Sequence, residues 1–410
     1  MRSISSDGDL AAAEARKAAH RTRKRGLLVD PLFPRAVGAR WAHNSLAGTL
    51  TLSAMQSDAA APNRYIWYVS SHPAMMSATE RFRPNRSKRL TDEEISVGEE
   101  LERIFMPLAH RKREKVRQEG SRFVHYTSAE NAFKILTSRR IWMRNARCMN
   151  DYMEASFGHQ QLVRLFQNQE LKEAFIEALA PYGDDMGNKV LAHFDQWWKN
   201  IQFNTYITSI SEHHQSEDVH GRLSMWRAYG GNSAKAALVL RMPLMPGQVA
   251  GLRLLFSPVE YLEFAELECE FRHAIQSIRE NAITLSSIKP DLIFNMAFFM
   301  LVLAALCLKH KGFSEEREWR LIYLPDALPS DKLERNVEIV GGVPQTIYKI
   351  PLENDADKQI QGASILDIID RVIIGPSVYP MPIFAAFSSV LRDAGIQEPK
   401  LAVSDIPLRT

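Results

Sequence analysis

Phe123–Leu136 reads FVHYTSAENAFKIL, and this stretch decides the fold. Side chains alternate across a strand, so Phe123 and His125 share one face while Val124 and Tyr126 share the other. Thr127 stands three residues before Glu130, the T-x-x-E spacing of a capping box. Ala129, Ala132, Phe133 and Leu136 then recur at i, i+3, i+4 and i+7, the period of a helix. The stretch therefore predicts a strand that ends in His-Tyr and feeds a helix N-terminus. Such a terminus presents backbone N–H groups and partial positive charge, which suit phosphate or carboxylate. A packed histidine and tyrosine satisfied by backbone partners fit the same letters.

Outward from this junction, strands and helices alternate. RIWMRN (140–145), TYITSIS (205–211), KAALVLRM (235–242), EREWRLIY (316–323), TIYKIPL and RVIIGP read as strands. Asp151 and Glu154 fit a capping box opening a helix in YMEASFGHQQLVRLF. Two helical segments fill about 262–310, and a last helix lies near 381–394. Long helices placed between groups of strands predict an α+β fold built on a mixed sheet. Upstream, residues 1–26 read as a flexible basic lead. Residues 27–120 read as a region of short strands (TLTLSAM, RYIWYVS) followed by a helix from Asp92 to Glu119, capped by Thr91 and ended by Gly120. Residues 121–410 form the α+β domain that holds the chemistry.

The composition, 45% hydrophobic and 24% charged, is that of a globular protein. Cys148, Cys269 and Cys307 are far apart, with no CxxC pair, which argues against a thiolate zinc site and for a reducing, cytoplasmic setting. The N-terminus shows no signal-peptide pattern. Leu292–Leu308 is the one apolar run that approaches membrane length, and at 17 residues with Asn295 inside it reads as a buried core helix. No membrane association is expected. The net charge of +3 hides an asymmetry: residues 1–120 carry 21 Lys+Arg against 14 Asp+Glu, and the remainder 30 against 34. Clusters at Arg21–Arg25, Arg81–Arg89 and Arg111–Lys115 suit docking of an acidic partner or nucleic acid, and the same charges fit a solvated, partly disordered extension.

Four further clusters carry candidate chemistry. NDYME (150–154) places Asp151, Tyr152 and Glu154 at a helix start. SMWRAYGGN (224–232) brings Trp226, Arg227 and Tyr229 beside a Gly-Gly turn, a combination that suits the stacking wall of a pocket. His213, His214 and His220 have no spacing that gathers them on one metal, and no metal is expected there. In EEREWRLIY, a strand puts Glu316, Glu318 and Arg320 on one face and Trp319, Leu321 and Tyr323 on the other. That pattern suits a carboxylate oriented by an arginine, and equally a surface ion-pair ladder of little energetic weight.

HYTS, NDYME, MWRAYG, EREWR, VIIGP and SDIPLR, in that order from Phe123 to Thr410, resemble a bacterial family known only as domain of unknown function 2971. That resemblance implies no activity. A second similarity is to the His-Tyr-Glu ADP-ribosyltransferases, carried by a histidine on an early strand, a central aromatic and an E-x-E on a later strand. It implies a split sheet and NAD as substrate. By it, His125 orients the adenine-side ribose, with Tyr126 and Thr127 beside it. Tyr229 or Tyr206 stacks on nicotinamide next to Trp226, and Arg144 or the helix end after Thr127 meets the diphosphate. Glu318, oriented by Arg320, stabilises the oxocarbenium-like transition state, and Glu316 activates a protein or nucleic-acid acceptor. ITSIS (207–211) approximates the Ser-Thr-Ser of the middle strand. Such transferases serve as toxins, delivered effectors and antiphage factors. Two other readings stand beside it: a non-catalytic nucleotide- or anion-binding module, and a magnesium-dependent nuclease using Asp151, Glu154, Glu316 and Glu318.

Overall fold

Ten strands follow one another along the chain in a computed structural model that describes residues 92–149, 154–231, 233–241, 252–357 and 360–408. They are β1 (Arg122–Ser128), β2 (Arg140–Asn145), β3 (Tyr206–His213), β4 (Lys235–Leu240), β5 (Leu255–Pro258), β6 (Glu318–Tyr323), β7 (Glu334–Val340), β8 (Val343–Pro351), β9 (Ile369–Ile374) and β10 (Leu401–Val403). The expected lead, the strands before residue 72 and the Asp151–Tyr152 pair lie outside the described residues.

All ten strands belong to one mixed sheet, ordered β10-β9-β4-β1-β3-β2-β8-β7, with β6 paired to β3 and β5 to β6. Every pairing is antiparallel except β9 with β10. The chain is thus mixed α and β, as expected. One irregularity shapes everything that follows. β6 pairs with β3 without interruption from Tyr206 to Ser211. The opposite edge of β3 is shared: Tyr206 and Ile207 pair with β2, while Ser211, Glu212 and His213 pair with β1. Between them, Thr208, Ser209 and Ile210 have no strand partner on that edge. The sheet is split there.

Helices cover both faces. On one, the helices Asp92–Phe105, Glu154–Gln167, Gln169–Leu179, Met186–Phe203 and Phe264–Glu280 surround Pro290–Cys307. That last helix is apolar on all sides because all its sides are packed, and residues from Ile293 to Cys307 enter the core. By length and composition it would cross a membrane, but most of it is buried in protein. Gly158 permits its closest neighbour to approach: a Cβ there would meet the Ala305 carbonyl oxygen at 2.2 Å. On the other face, the helices Ala129–Ser138 and Pro380–Asp393 pack over Phe123, Ile210, Trp319 and Leu321.

Local expectations changed in four places. The helix expected over Asp92–Glu119 is two helices, Asp92–Phe105 and Pro107–Gln118, because a proline cannot donate the N–H that a continuous helix requires. Both pieces pack against the rest: Leu101, Ile104 and Phe105 join the helical core, Arg113 bonds the Phe256 carbonyl, and Lys112 pairs with Glu260 at 2.5 Å. The boundary expected near residue 120 therefore falls inside one packed body. The cap of the helix after β1 is Ser128, whose hydroxyl accepts the Asn131 N–H at 3.1 Å, and not Thr127. Finally, β6 begins at Glu318 and not at Glu316, because Arg317 adopts a left-handed conformation (φ 45°) that ends a short 3-10 turn.

Candidate active site in the split of the sheet

Where the backbone ladder is missing, side chains replace it. His125 Nδ1 lies 3.0 Å from the Ser209 carbonyl oxygen. The Thr208 hydroxyl donates to the Trp142 carbonyl at 2.7 Å. β1 and β2 are thus laced to β3 through a histidine and a threonine, and the opening between them is a cavity of about 550 Å³. That volume lies within the range of small-molecule sites, about 300–1,000 Å³.

The cavity explains how His125 and Glu318 meet. Val124 pairs with Ser211, and Ser211 with Glu318, so these three share one face of the sheet. His125 follows Val124 and sits on the other face. Only the split lets both reach one space. Ser209 joins them: its carbonyl takes the His125 contact, and its hydroxyl donates to Glu318 Oε1 at 2.5 Å.

Because a carbonyl only accepts, Nδ1 carries the proton and Nε2 is the acceptor nitrogen of the ring. Burial lowers the histidine's pKa, with the Ser209 bond acting in the opposite sense, so the ring is neutral at physiological pH. The ring keeps some accessible surface, consistent with its place on the cavity wall.

Glu318 is 5% exposed. Burial pushes its pKa up, but Arg320, Lys309 and Ser209 overcome this and hold it well below the ordinary carboxylate range. Arg320 donates Nε to Oε1 at 2.9 Å and Nη2 to Oε2 at 3.1 Å, and Lys309 donates to Oε2 at 3.3 Å. The strand N–H of Glu318 goes to the Tyr261 hydroxyl at 2.9 Å. Arg320 also reaches the Leu306 carbonyl, anchoring β6 to the end of the apolar helix. The surface-ladder alternative is excluded, since this pair is in the interior. Glu316, outside the strand, still lines the cavity and accepts from Lys309 at 2.7 Å.

Of the expected site residues, His125, Tyr126, Thr127, Arg144, Tyr229, Glu316 and Glu318 line the cavity. Arg320 lies behind Glu318. Tyr206 does not line it: its ring packs on Tyr348 at 4.6 Å in the core on the other face. Trp226 does not either. It is fully buried, stacked edge-on to Tyr126 at 4.8 Å, with its indole N–H on the His220 carbonyl. Between the two tyrosines proposed for stacking, Tyr229 is the one in position. The helix end after Thr127 is also less open than expected, since the Ala129 N–H goes to the Ala234 carbonyl and the Asn131 N–H to Ser128. Arg144 reaches the cavity while donating to the Cys148 carbonyl and, at 3.2 Å, to Gln345.

The sequence reading missed Lys309, Lys134, Phe313 and Arg222. Lys309 gave one signal, a charge directly after an apolar run. Arg222 gave none. Its guanidinium holds the carbonyls of Glu212, Glu315 and Glu316, and its N–H bonds the Tyr126 hydroxyl at 2.9 Å, fixing the 3-10 turn beside the cavity. Burial pushes the Tyr126 hydroxyl up to about 12, so it remains a neutral phenol.

Among the described residues no group of three or more His, Cys, Asp or Glu side chains is placed to hold a metal ion. Glu316 and Glu318 share an ammonium, while Asp151 and the Glu154 side chain, the other two ligands of the nuclease reading, lie outside what the structure describes. No family model, curated protein or solved structure matches the chain.

Proposed function

We propose that this cavity binds NAD and cleaves its nicotinamide–ribose bond, transferring ADP-ribose to a protein or nucleic-acid acceptor or to water. The observation that carries the reading is Ser209, which bonds His125 with its carbonyl and Glu318 with its hydroxyl on the wall of one cavity at a sheet split. The arrangement accords with the ADP-ribosyltransferase-like fold that the His, aromatic and E-x-E pattern implies. In this reading the N-glycosidic bond breaks with its electron pair leaving on nicotinamide. Positive charge develops at the ribose carbon. Glu318, held ionised in a mostly buried position, stabilises that charge. The neutral His125 ring accepts a ribose hydroxyl through Nε2, and Tyr229 offers an aromatic face. The incoming acceptor loses its proton toward Glu316.

Nicotinamide release by the purified chain tests this directly. Glu318→Gln and His125→Ala should each reduce release on the order of 10²-fold or more. Release unchanged in both variants would overturn the assignment.

One observation favours a second reading. Glu318 already receives four donors, from Ser209, Lys309 and two nitrogens of Arg320, which matches the roughly four lone-pair sites of a carboxylate. A carboxylate so engaged serves equally as the lock of a non-catalytic nucleotide- or anion-binding module. Wild-type protein that binds NAD without releasing nicotinamide, and a Glu318→Gln variant that still binds, would establish that module instead.

A further inference from the structure

β2 forms the side of the split that faces β1, and its two faces differ. Ile141 and Met143 enter the core. Trp142 and Arg144 alternate with them, so they share the other face, and both line the cavity.

Arg144 carries a charge that the fold does not balance. The other arginines on β1, β2, β6 and β9 each hold a carboxylate: Arg122 with Asp370, Arg140 with Glu353, Arg320 with Glu318 and Arg371 with Asp370. Arg144 is half-buried, and among the described residues it pairs with none. Its Nε donates to Gln345 Oε1 at 3.2 Å and its Nη2 to the Cys148 carbonyl. Both acceptors are neutral. They aim the guanidinium without balancing it, and the N–H groups of Nη1 are left over. A charge taken out of water is costly until it is paired, and burial already pulls the Arg144 pKa down. The wall is prepared for an anion.

Trp142 stands two residues earlier, about 6–7 Å along the strand. Its carbonyl takes the Thr208 hydroxyl at 2.7 Å, which fixes the backbone beneath the ring. Across the β2–β8 pair, Lys349 places its ammonium 5.5 Å from the ring centre and is itself held by Glu338 at 2.9 Å. An inorganic anion would use the arginine alone. An aromatic ring beside a forked cation at this spacing matches a nucleobase joined through its ribose to a 5′-phosphate, with the base stacking and the phosphate taking the fork.

We infer that the β2 wall is a subsite for a nucleoside 5′-phosphate, with the base stacked on Trp142 and the phosphate held by Arg144. Its identity as the AMP half of NAD rests on the NAD-cleaving reading, whereas the subsite does not. On that reading the adenosine end lies against β2, and the nicotinamide end is left for Tyr229 and Glu318.

Calorimetric titration of the full chain with AMP, adenosine and ribose 5-phosphate tests this. Wild type should bind AMP more tightly than either half. Trp142→Leu should weaken AMP on the order of 10-fold and leave ribose 5-phosphate unmoved. Arg144→Gln should weaken AMP and ribose 5-phosphate by about 10- to 100-fold and leave adenosine unmoved. Trp142→Phe keeps an aromatic face, so AMP affinity should stay within about 3-fold, while the quenching of tryptophan emission by AMP is lost. Arg144→Lys keeps the charge but not the fork, and should weaken ribose 5-phosphate several-fold.

No AMP binding by wild type at millimolar concentration overturns the inference. A variant that weakens the half it should spare as much as AMP itself also overturns it, since that marks a collapsed wall. If Trp142→Leu or Arg144→Gln does not fold, Trp142→Phe and Arg144→Lys decide: persistent quenching in the one, or unchanged ribose 5-phosphate affinity in the other, overturns it. In nicotinamide release, Trp142→Leu and Arg144→Gln should raise KM more than they lower kcat. Absence of release from wild type counts against the NAD-cleaving reading alone, since the AMP titrations still report on the β2 wall.

Discussion

The helical layer and the split in the sheet are held by opposite means. Around Pro290–Cys307, apolar side chains from five helices close on one another, and the closest approach is made by a residue with no side chain, Gly158 against Ala305. At the split the strands part, and polar side chains do the joining: His125 to Ser209, Thr208 to Trp142, Ser209 to Glu318. Packing needs only volume and shape, whereas the polar joints need particular atoms. Substitution should therefore be graded in the first region and abrupt in the second.

The largest effect is expected at the charged centre of the split. Glu318→Ala takes from buried Arg320 and Lys309 the carboxylate they share, a loss of about 3–5 kcal/mol for breaking a buried pair from one side. Denaturant unfolding measures it. The pH dependence has a definite sign. A carboxylate held below its unfolded value contributes stability that is fully present above about pH 4.5 and lost as pH falls through the lower folded value. Wild type should therefore show an acid-side loss that Glu318→Ala lacks. An equal acid limb in both proteins would break the comparison.

The helical layer supplies the next largest effect. Gly158→Ala puts a Cβ against backbone atoms of Ala305 at 2.2 to 3.0 Å, so the helix Glu154–Gln167 must shift. Overpacking of this kind costs about 1–3 kcal/mol, and the gain in helix propensity returns at most ~1. Tm should fall while ligand binding at the split persists. A neutral Gly158→Ala would show that these two helices are not in backbone contact.

These two regions also differed in how much the sequence disclosed. Strands and helices with clean periodicity, such as TYITSIS and the run before Lys309, were legible because their signals are local. Trp319, Leu321 and Tyr323 were expected on one packed face of β6, and that face does carry them into the core. The split was not legible from the residues alone. It depends on which edge of β3 each neighbour takes, and no local period encodes that choice. Smaller misses had local causes. Arg317 in a left-handed turn removed Glu316 from the strand, and Pro107 cut a helix that periodicity alone would continue. Trp226 and Tyr206 looked like pocket aromatics, yet aromatic rings beside a flexible turn or a strand end fill cores as readily as pockets.

A smaller effect is expected where the lacing is neutral. Thr208→Val keeps the shape but removes the donor to the Trp142 carbonyl, leaving that oxygen to water or unpaired, at about 1–3 kcal/mol, the lower end applying if water reaches it. Hydrogen exchange at β2 and β3 should quicken locally, with the helical layer unchanged. Uniform quickening across the molecule would mean that the two regions unfold together and that the contrast between them has no dynamic counterpart.

Lys134 sharpens the contrast furthest, because its expected effect on the fold is the smallest of all. It is exposed on the helix after β1 and pairs with Glu130 one turn away at 2.5 Å, with side chains 53% and 70% exposed. Such pairs contribute about 0.3–0.5 kcal/mol and are screened by salt. Lys134→Ala should leave Tm almost unmoved. Yet Lys134 lines the cavity, and under the proposed NAD reading it is a cation within reach of the phosphates. Its removal should weaken NAD binding several-fold at low ionic strength and progressively less as salt is added, since a partly exposed cation acts over roughly a Debye length. Titration of wild type and variant at two salt concentrations reads this directly. Equal affinity at low salt would place the phosphates elsewhere in the cavity, with Arg144 then the cation to test.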